Sequence, residues 1–362
     1  MPRRSLAGTL VFMLCCSTTA FADPGDLDPT FGSGGVVIAP STSQRIRARA
    51  PTGWEVGGRR VSYRLAEPVH GGPLRRDRST RSRLRYRRRR RDGARAGSAT
   101  ARAVALQADG KIVVAGSCLN GPSDAQFAVV RYEADGTLDA TFGTGGIVIV
   151  GGPTDENGRG VAVQADGKLV VVGRQWTGTQ NIFVLARFET DGTLDATFGT
   201  GGWVTGPGTE AEEVLIQPDG KLVVVGYKIV VNRDFAIARY ETDGTLDAGF
   251  GTGGMATTSM SFYHDQAFAL VRQTDGGFVV GGWTYTRANT DRSLVLVRYD
   301  SAGVLDAGFG SGGVSAKVSG ADFDIPVGLV EQPDGKLIMA AHLFVSAVSN
   351  IAVVRWLSDG TL

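Results

Sequence analysis

The residues with the clearest potential for chemistry are arginines that recur at one position of a repeated pattern. Each closes an apolar run such as Phe127-Ala-Val-Val-Arg131-Tyr132, and Arg355 is the last of them. A guanidinium within an apolar strand is costly to bury unless a carboxylate pairs with it. In four copies an aspartate follows eight residues later, which predicts structural ion pairs at Arg131–Asp139, Arg187–Asp195, Arg239–Asp247 and Arg298–Asp306.

Other arrangements that could hold phosphate or metal are better explained as turns. The motif Phe-Gly-x-Gly-Gly is followed by a predicted strand and lacks the lysine of a phosphate-binding loop. Asp135-Gly-Thr-Leu-Asp139 lacks the further carboxylates and the terminal glutamate of a calcium loop, so turn capping is favoured. His70, His264 and His342 are too scattered to indicate a zinc site or a triad. The sequence therefore predicts no catalytic residue, no metal site and no cofactor.

Ligand binding is expected where the copies of the pattern differ. Tyr263, His264, Trp283 and Tyr285 belong to one copy and fall in segments that we interpret as exposed loops. Aromatic side chains in loops on a rigid scaffold can stack on sugar rings or on peptide side chains. We predict that these four residues contact the ligand; ordinary packing over the face of the fold is the alternative interpretation.

A repeat of roughly 56 residues positions all of these side chains. Its clearest motif, Leu-Asp-x-x-Phe-Gly-x-Gly-Gly, places Phe at positions 31, 142, 198, 250 and 309. The first step, 111 residues, is close to twice the others, which indicates one missing copy near position 86. A repeat of this size is one supersecondary unit that must stack on its neighbours to bury its apolar face.

Three motifs predict four strands in each repeat and no helix. Asp-Gly between apolar runs, as in Ala105–Gly116, indicates a hairpin. The run Phe127–Tyr132 alternates as a strand does, and a short strand follows each Gly-Gly. The predicted fold is all-β: a β-propeller of four-stranded blades with about six repeats, one of them corrupted or replaced. An open β-solenoid is the alternative, and six is a lower bound if the chain is truncated.

The three motifs together resemble the bacterial delta-60 repeat, a β-propeller family of unknown function. The resemblance covers about residues 24–40 and 101–362. It implies a propeller in an exported bacterial protein, and it brings no catalytic residues to this chain.

Residues 41–100 depart from the pattern. They contain 18 arginines and no lysine, and the run Arg81–Arg91 stands where the missing copy belongs. A wrong reading frame in a GC-rich gene is the favoured interpretation; a genuine basic insertion and a nucleic-acid-binding arm are the others. The segment carries a charge of +14, which leaves −12 for the rest of a chain whose net charge is +2. Because an acidic array repels phosphate, no nucleic-acid partner is predicted for it.

The N-terminus has the pattern of a signal peptide over residues 1–22. Arg3 and Arg4 precede an apolar stretch, and Ala20-Phe21-Ala22 provides a cleavage site. A lipid-attachment site at Cys15 or Cys16 is the alternative, although the residues before them are bulky. We expect an exported protein, in the periplasm, at the cell surface or outside the cell. The predicted mature chain, 23–362, is a single propeller domain without a transmembrane segment.

These observations favour a non-enzymatic binding or interaction scaffold with an unknown ligand, either an extracellular polysaccharide or a protein. The alternative is a propeller hydrolase or lyase that acts on an extracellular polymer through carboxylates at the mouth of the channel. Convergence of single-copy carboxylates with a histidine at one mouth would favour the enzyme.

Overall fold

The computed structural model is all-β over the residues that it describes. These are residues 45–49, 60–62, 99–119, 125–151, 154–285, 291–315, 317–319, 324–345 and 348–362. The predicted signal peptide, and all of residues 41–100 apart from two short strands and residues 99–100, lie outside this part of the chain. Within it no segment is helical, as the repeat motifs predict.

The strands form successive antiparallel sheets, here called blades. Strand β1 (Arg45–Arg49) pairs antiparallel with β2 (Arg60–Ser62) and parallel with β3 (Ala99–Leu106), so β1 and β2 extend the sheet of the first blade. Blade 1 contains β3 (Ala99–Leu106), β4 (Ile112–Leu119), β5 (Ala125–Tyr132) and β6 (Ile147–Val150). Blade 2 contains β7 (Glu156–Val163), β8 (Leu169–Trp176), β9 (Asn181–Phe188) and β10 (Trp203–Thr205). Blade 3 contains β11 (Glu210–Ile216), β12 (Leu222–Ile229), β13 (Arg233–Tyr240) and β14 (Met255–Thr258).

The last two blades continue the same order. Blade 4 contains β15 (Asp265–Arg272), β16 (Phe278–Tyr285), β17 (Arg292–Tyr299) and β18 (Val318–Ser319). Blade 5 contains β19 (Ile325–Glu331), β20 (Leu337–Val345) and β21 (Val348–Trp356). The predicted four-stranded blade is confirmed, since each repeat from blade 1 to blade 4 pairs its strands in sequence order.

The first strand of each blade lies innermost, because β3, β7, β11, β15 and β19 contact one another in succession. The core lies between neighbouring blades rather than within one. Phe127 and Val129 of blade 1, for example, pack in one buried cluster with Val171 and Val184 of blade 2. A blade therefore buries its apolar faces only by stacking on the next repeat, and each fully buried side chain of this type contributes roughly 1.5–3 kcal/mol.

The turn interpretations of the aspartate motifs agree with the structure. In the hairpin of blade 1, Gly110 adopts a φ of 88° and Gln107 N donates to Lys111 O at 2.8 Å. Asp135 Oδ1 accepts hydrogen bonds from Thr137 N at 2.8 Å and from Thr137 Oγ1 at 2.7 Å. The carboxylate thus caps its own turn, as its position between two strands requires.

Each first strand carries a β-bulge, and in blades 1 to 4 it lies opposite a glycine that closes the apolar run of the second strand, whereas blade 5 has Ala341 there. In blade 2 the register shifts between Gly158 and Gly160, which leaves Arg159 as the extra residue. The facing residue is Gly173, where a Cβ would lie 1.8 Å from the carbonyl oxygen of Asn157. Only glycine allows this approach, so the recurrent glycine of the hairpin motif is required by the bulge.

Closure of the array into a ring is not detected among the described residues. Five blades are described, and the sixth predicted from the repeat length falls on residues 41–100. The propeller fold is therefore established from blade 1 onwards, while the closed ring of six blades stays a prediction.

Candidate binding face

Antiparallel pairing gives the array two faces of different character. The Asp-Gly hairpins and the Phe-Gly-x-Gly-Gly loops join the first to the second strand and the third to the fourth, so they share one face. We call it the repeat face, because its motifs recur in every copy. The remaining connections, such as 230–232 and 259–264, lie on the opposite or variable face, where the copies differ.

The predicted ion pairs lie on the repeat face. Arg131 Nε donates to Asp139 Oδ2 at 2.6 Å, and Lys111 Nζ donates to the same oxygen at 2.8 Å. The sequence prediction missed the lysine, which follows Asp-Gly in the hairpin motif. Blades 2 and 3 repeat this arrangement, here called the clasp, with every donor 2.7 Å from the aspartate, through Arg187, Lys168 and Asp195 and through Arg239, Lys221 and Asp247. In blade 4, where Gly277 stands in place of the lysine, Arg298 pairs with Asp306 and Asp275.

Each clasp also joins its blade to the next one. Arg131 Nη1 donates to the carbonyl oxygen of Thr190, in blade 2, at 2.6 Å. The Arg131 guanidinium carbon lies 4.5 Å from the centroid of the Phe142 ring, and the equivalent distances in blades 2 and 3 are 4.5 and 4.6 Å. The clasp has the same geometry in successive blades, and its arginine contacts the next blade. We therefore assign it a structural role.

The pKa values of the clasp aspartates lie below the ordinary value in the folded protein. Although burial opposes ionisation of Asp139, hydrogen bonds from Lys111 and Thr141 hold the pKa of its carboxyl well below the usual range. The hydrogen bond from Lys221 is the largest influence on Asp247, and the pKa of that carboxyl falls to about 2.

We expect the clasps to lose their stabilising effect in acid. A folded-state pKa below the unfolded value of about 4 means that stability is present above that value and is lost as pH falls through the folded pKa. The Asp247→Asn variant should therefore be less stable than the parent at near-neutral pH, with a difference that narrows towards about pH 2. Denaturant unfolding across this range measures it, with Asp219→Asn in an exposed turn as the control. A difference that stays constant in acid would contradict the prediction.

Within the first strands, the bulge residues form a position at which the blades diverge. The extra residues are Arg102, Arg159, Glu212, Phe268 and Val327 in blades 1 to 5. Bulges redirect a side chain out of the regular alternation of a strand and are common beside functional sites. From blade 1 to blade 5, the bulge position of the innermost strand is thus occupied first by cationic, then by anionic, aromatic and aliphatic side chains.

A polar network joins blades 2, 3 and 4 at this level. Arg159 of blade 2 pairs with Glu210 and, at 3.2 Å, with Glu212 of blade 3. Glu212 Oε1 also accepts a hydrogen bond from Gln266 Nε2 of blade 4 at 2.9 Å. Arg233 Nη1 then donates to Gln266 Oε1 at 3.1 Å. Burial opposes the charge of Arg159, but Glu212 and Glu210 raise the pKa of its guanidinium.

Sequence reasoning missed this network. Its members come from different repeats, and no motif links a residue to one that lies some 50 positions away. The only signal was that the residue type at the equivalent strand position varies among the copies, with arginine in blades 1 and 2 and a different residue in each later blade. Because these carboxylates are buried and paired with arginine, they fix neighbouring blades in place and are not available as a general acid or base.

The structure brings together the four predicted ligand-binding residues, but not as an open site. Trp283 and Tyr285 lie in strand β16 and are 2% and 7% exposed, so the prediction that they stand in exposed loops is wrong. Their rings are 5.0 Å apart, and Arg292 stacks on Trp283 at 4.2 Å. Tyr227, at the corresponding end of β12 in blade 3, is also buried.

The physical reason is strand length. The interpretation ended the second strand of the hairpin at its glycine, whereas β16 continues past Gly282 and pairs on both sides, Trp283 with Gln266 and with Leu294. Phe268 at the bulge position and the partly buried Tyr263 complete the aromatic cluster. Trp283 and Tyr285 are therefore packed within the fold, in agreement with the alternative interpretation given above.

His264 and Asp265 hold the loop that precedes β15. His264 Nδ1 accepts a hydrogen bond from the backbone N–H of Arg233 at 3.1 Å. Asp265 is buried, and it accepts hydrogen bonds from Met260 N at 2.7 Å and from Ser261 Oγ at 3.1 Å. Burial raises the pKa of the Asp265 carboxyl. Both of its oxygens are engaged within the loop, which points to a structural role.

One exposed region of the variable face is apolar and lies on two connections that are tied together. Phe262, at the tip of the loop before β15, is 94% exposed. Asn232 Nδ2 donates to the carbonyl oxygen of Phe262 at 2.8 Å, which fixes this loop against residues 230–232 of blade 3. Val230 and Val231 are exposed there beside Ile229. We call Ile229, Val230, Val231 and Phe262 the apolar tip.

Among the described residues, no group of three or more histidine, cysteine, aspartate or glutamate side chains is arranged to hold a metal ion. In the same part of the chain there is no helix with the length and apolarity needed to cross a membrane.

Comparison with known families agrees with this architecture. The model of a β-propeller domain of unknown function, DUF5122, matches residues 107–142, 164–198, 217–250, 273–309 and 332–362. Five repeats across residues 107–362 therefore match the DUF5122 model. Each match runs from the hairpin turn to the Phe-Gly motif or, in blade 5, to the end of the sequence, so the DUF5122 unit coincides with the clasp-bearing part of each blade. The match is compatible with the resemblance to the delta-60 repeat.

Several solved structures share a distant likeness. A protein of unknown function from Dyadobacter fermentans is 10% identical, with 71% of this chain and 78% of that one covered and a TM-score of 0.42. An endo-arabinase from Bacteroides thetaiotaomicron is 9% identical (72% and 94% covered, TM-score 0.38). An α-L-arabinofuranosidase from Clostridium thermocellum is 12% identical (73% and 92%, TM-score 0.35). No curated protein matches the chain.

Proposed function

We propose that this protein is an exported, non-enzymatic binding scaffold whose ligand is an extracellular protein or peptide held at the apolar tip. One observation carries the proposal. Four large apolar side chains, Ile229, Val230, Val231 and Phe262, are exposed on two loops that a hydrogen bond holds together. Exposed apolar groups that are clustered and fixed, rather than scattered, mark interaction sites.

The composition of the tip favours protein over polysaccharide. A sugar ring is recognised by flat aromatic faces together with hydrogen-bonding groups, whereas three of the four side chains of the tip are branched and aliphatic. Such side chains are matched by the apolar side chains of another polypeptide. Export is supported by the signal-peptide pattern of residues 1–22, and the acidic balance outside residues 41–100 disfavours nucleic acid.

The rigid base of the tip supports binding over catalysis. His264 contacts the backbone of Arg233, and Gln266 links that arginine to Glu212, so the loops stand on the buried network between blades 3 and 4. A loop fixed in this way binds at a smaller entropic cost than a mobile one. The enzymatic alternative needs a carboxylate near a histidine with access to substrate, and Asp265 is buried and engaged in its own loop.

The proposal predicts that a charge at the tip abolishes binding while a charge elsewhere does not. A displayed library of random peptides is selected on the immobilised protein, and the affinity of the enriched peptides is measured by titration. We expect peptides with apolar side chains, and roughly 30-fold weaker binding to Phe262→Asp, the effect of losing a central contact of about 2 kcal/mol. Val304→Asp is the matched control, because Val304 is an exposed valine on the repeat face.

Three outcomes would overturn the proposal. If the enriched peptides bound Phe262→Asp and the parent with equal affinity, the binding site would lie outside the apolar tip. Binding of soluble polysaccharides, with no peptide enriched, would change the ligand class. Turnover of a polysaccharide that is lost on changing His264 or Asp265 would establish the enzymatic alternative.

A further inference from the structure

Two hydrogen bonds join the segments that carry the apolar tip, residues 229–233 and 259–264, all of which the structure describes. One runs from Asn232 Nδ2 to the carbonyl oxygen of Phe262, at 2.8 Å. The other runs from the backbone N–H of Arg233 to Nδ1 of His264, at 3.1 Å. The first bond joins two amide groups, which do not titrate, whereas the second ends on an imidazole.

The second bond requires His264 to be neutral. A backbone N–H can only donate, so Nδ1 must offer a lone pair, and the proton of the neutral ring lies on Nε2. An imidazolium carries a proton on both nitrogens and would direct its own N–H at that of Arg233. Because the His264 side chain is partly exposed, the ring can take up this proton from solvent. The two joined segments and a protonated His264 are therefore incompatible.

The surroundings of the imidazole offer no compensating partner for its charge. The charged and titratable groups on the elements around the ring are Glu212 of β11, Tyr227 of β12, Arg233 and Asp234 of β13, Tyr263, Asp265 of β15, Tyr285 of β16 and Arg292 of β17. No described carboxylate forms an ion pair with the imidazole, and the residue that donates to it carries a cationic side chain. Protonation therefore removes one hydrogen bond and gains no ion pair in return.

We propose that protonation of His264 opens the apolar tip, so that this site holds a peptide near neutral pH and releases it in acid. The inference rests on the function proposed above. The sign follows from the hydrogen bond: the closed tip binds one proton fewer than the open tip, so a falling pH shifts the population towards the open form. Histidine is the side chain whose charge changes between about pH 5 and 8, and release is expected within that range.

Asp265 is the other titratable group that shapes this loop. Burial raises the pKa of its carboxyl, so it also gains a proton at a higher pH than an ordinary aspartate. Its hydrogen bonds come from Met260 N, Ser261 Oγ and the side chain of Thr284. None of these groups belongs to residues 229–233, so protonation of Asp265 leaves the two segments joined. His264 is therefore the group whose charge separates them.

The affinity of peptides as a function of pH tests the proposal. The probes are peptides enriched at pH 7.5 that have blocked termini and contain no histidine, aspartate or glutamate, so that only the protein titrates. We expect roughly tenfold weaker binding to the parent at pH 5 than at pH 7.5, the effect of losing one hydrogen bond. His264→Asn, whose amide oxygen can accept at either pH, should bind with equal affinity at both. His342→Asn, in blade 5, is the matched control and should keep the pH dependence of the parent.

Hydrogen exchange of the Arg233 amide provides a second readout, which needs no ligand. Its protection factor, which is corrected for the intrinsic effect of pH on exchange, should fall between pH 7.5 and 5 in the parent and stay constant in His264→Asn. Constant protection in the parent, or the same pH dependence of peptide affinity in the parent and in His264→Asn, would overturn the proposal. If protection falls as expected but no peptide is enriched, opening of the tip by protonation is supported and the proposed ligand class is wrong.

Discussion

The Asp195→Ala variant is expected to be about 3 kcal/mol less stable than the parent, because it leaves a buried guanidinium and an ammonium group without their shared carboxylate. Asp195 Oδ2 accepts from Arg187 Nε and from Lys168 Nζ, both at 2.7 Å. Its Oδ1 accepts from Thr197 N at 2.9 Å and holds the turn to the next strand. One side chain thus connects the hairpin, the third strand and the inter-blade loop of blade 2.

Denaturant unfolding measures this effect, with Asp166→Ala as the matched control. Asp166 lies in the hairpin turn of the same blade and is exposed, so its loss should change the free energy of unfolding by less than about 0.5 kcal/mol. A double-mutant cycle between Arg187→Ala and Asp195→Ala should show strong coupling. Additive effects in that cycle would contradict the structural role of the clasp.

A second large effect is expected at the contact between blades 2 and 3. Gly244 has a φ of +90°, and a Cβ there would lie 2.5 Å from Val204 Cγ2 and 2.9 Å from the Phe198 ring. Gly244→Ala therefore combines an unfavourable backbone conformation with overpacking against the neighbouring blade. We expect a loss of about 3 kcal/mol, the sum of the two contributions.

Gly178→Ala separates these two contributions. Gly178 has a φ of +94°, and a Cβ there would meet nothing within 4 Å. Gly178→Ala should lower the free energy of unfolding only through the unfavourable backbone conformation, by about 1 kcal/mol. Equal losses of stability for the two variants would show that the Phe198 loop of blade 2 is not packed against blade 3 as the structure has it.

The structure places the four predicted binding residues in one region, but it does not place all of them at the surface. Divergence between copies indicated the segments around Phe262 and Trp283, and the structure places both on one face. Of the four predicted residues, Tyr263 and His264 lie beside the exposed tip, while Trp283 and Tyr285 belong to the buried extension of a strand. Val230 and Val231 were not predicted, because nothing in the sequence links their loop to that of Phe262, which a hydrogen bond from Asn232 does in the structure.

The sequence by itself determined the strands, the turns and the pairing of each clasp arginine with its aspartate. These features are local: alternation sets a strand, Asp-Gly sets a hairpin, and eight residues separate the two charges across one turn. Tertiary structure decided which strand ends continue past their glycine, which bulge residues meet, and that the clasp lysine shares its aspartate. Such contacts join residues about 20 to 60 positions apart. Lys168 meets Asp195 only when the strands of blade 2 have paired, and Arg159 meets Glu212 only when blades 2 and 3 have stacked. The stacking is driven by burial between repeats, which no single repeat contains.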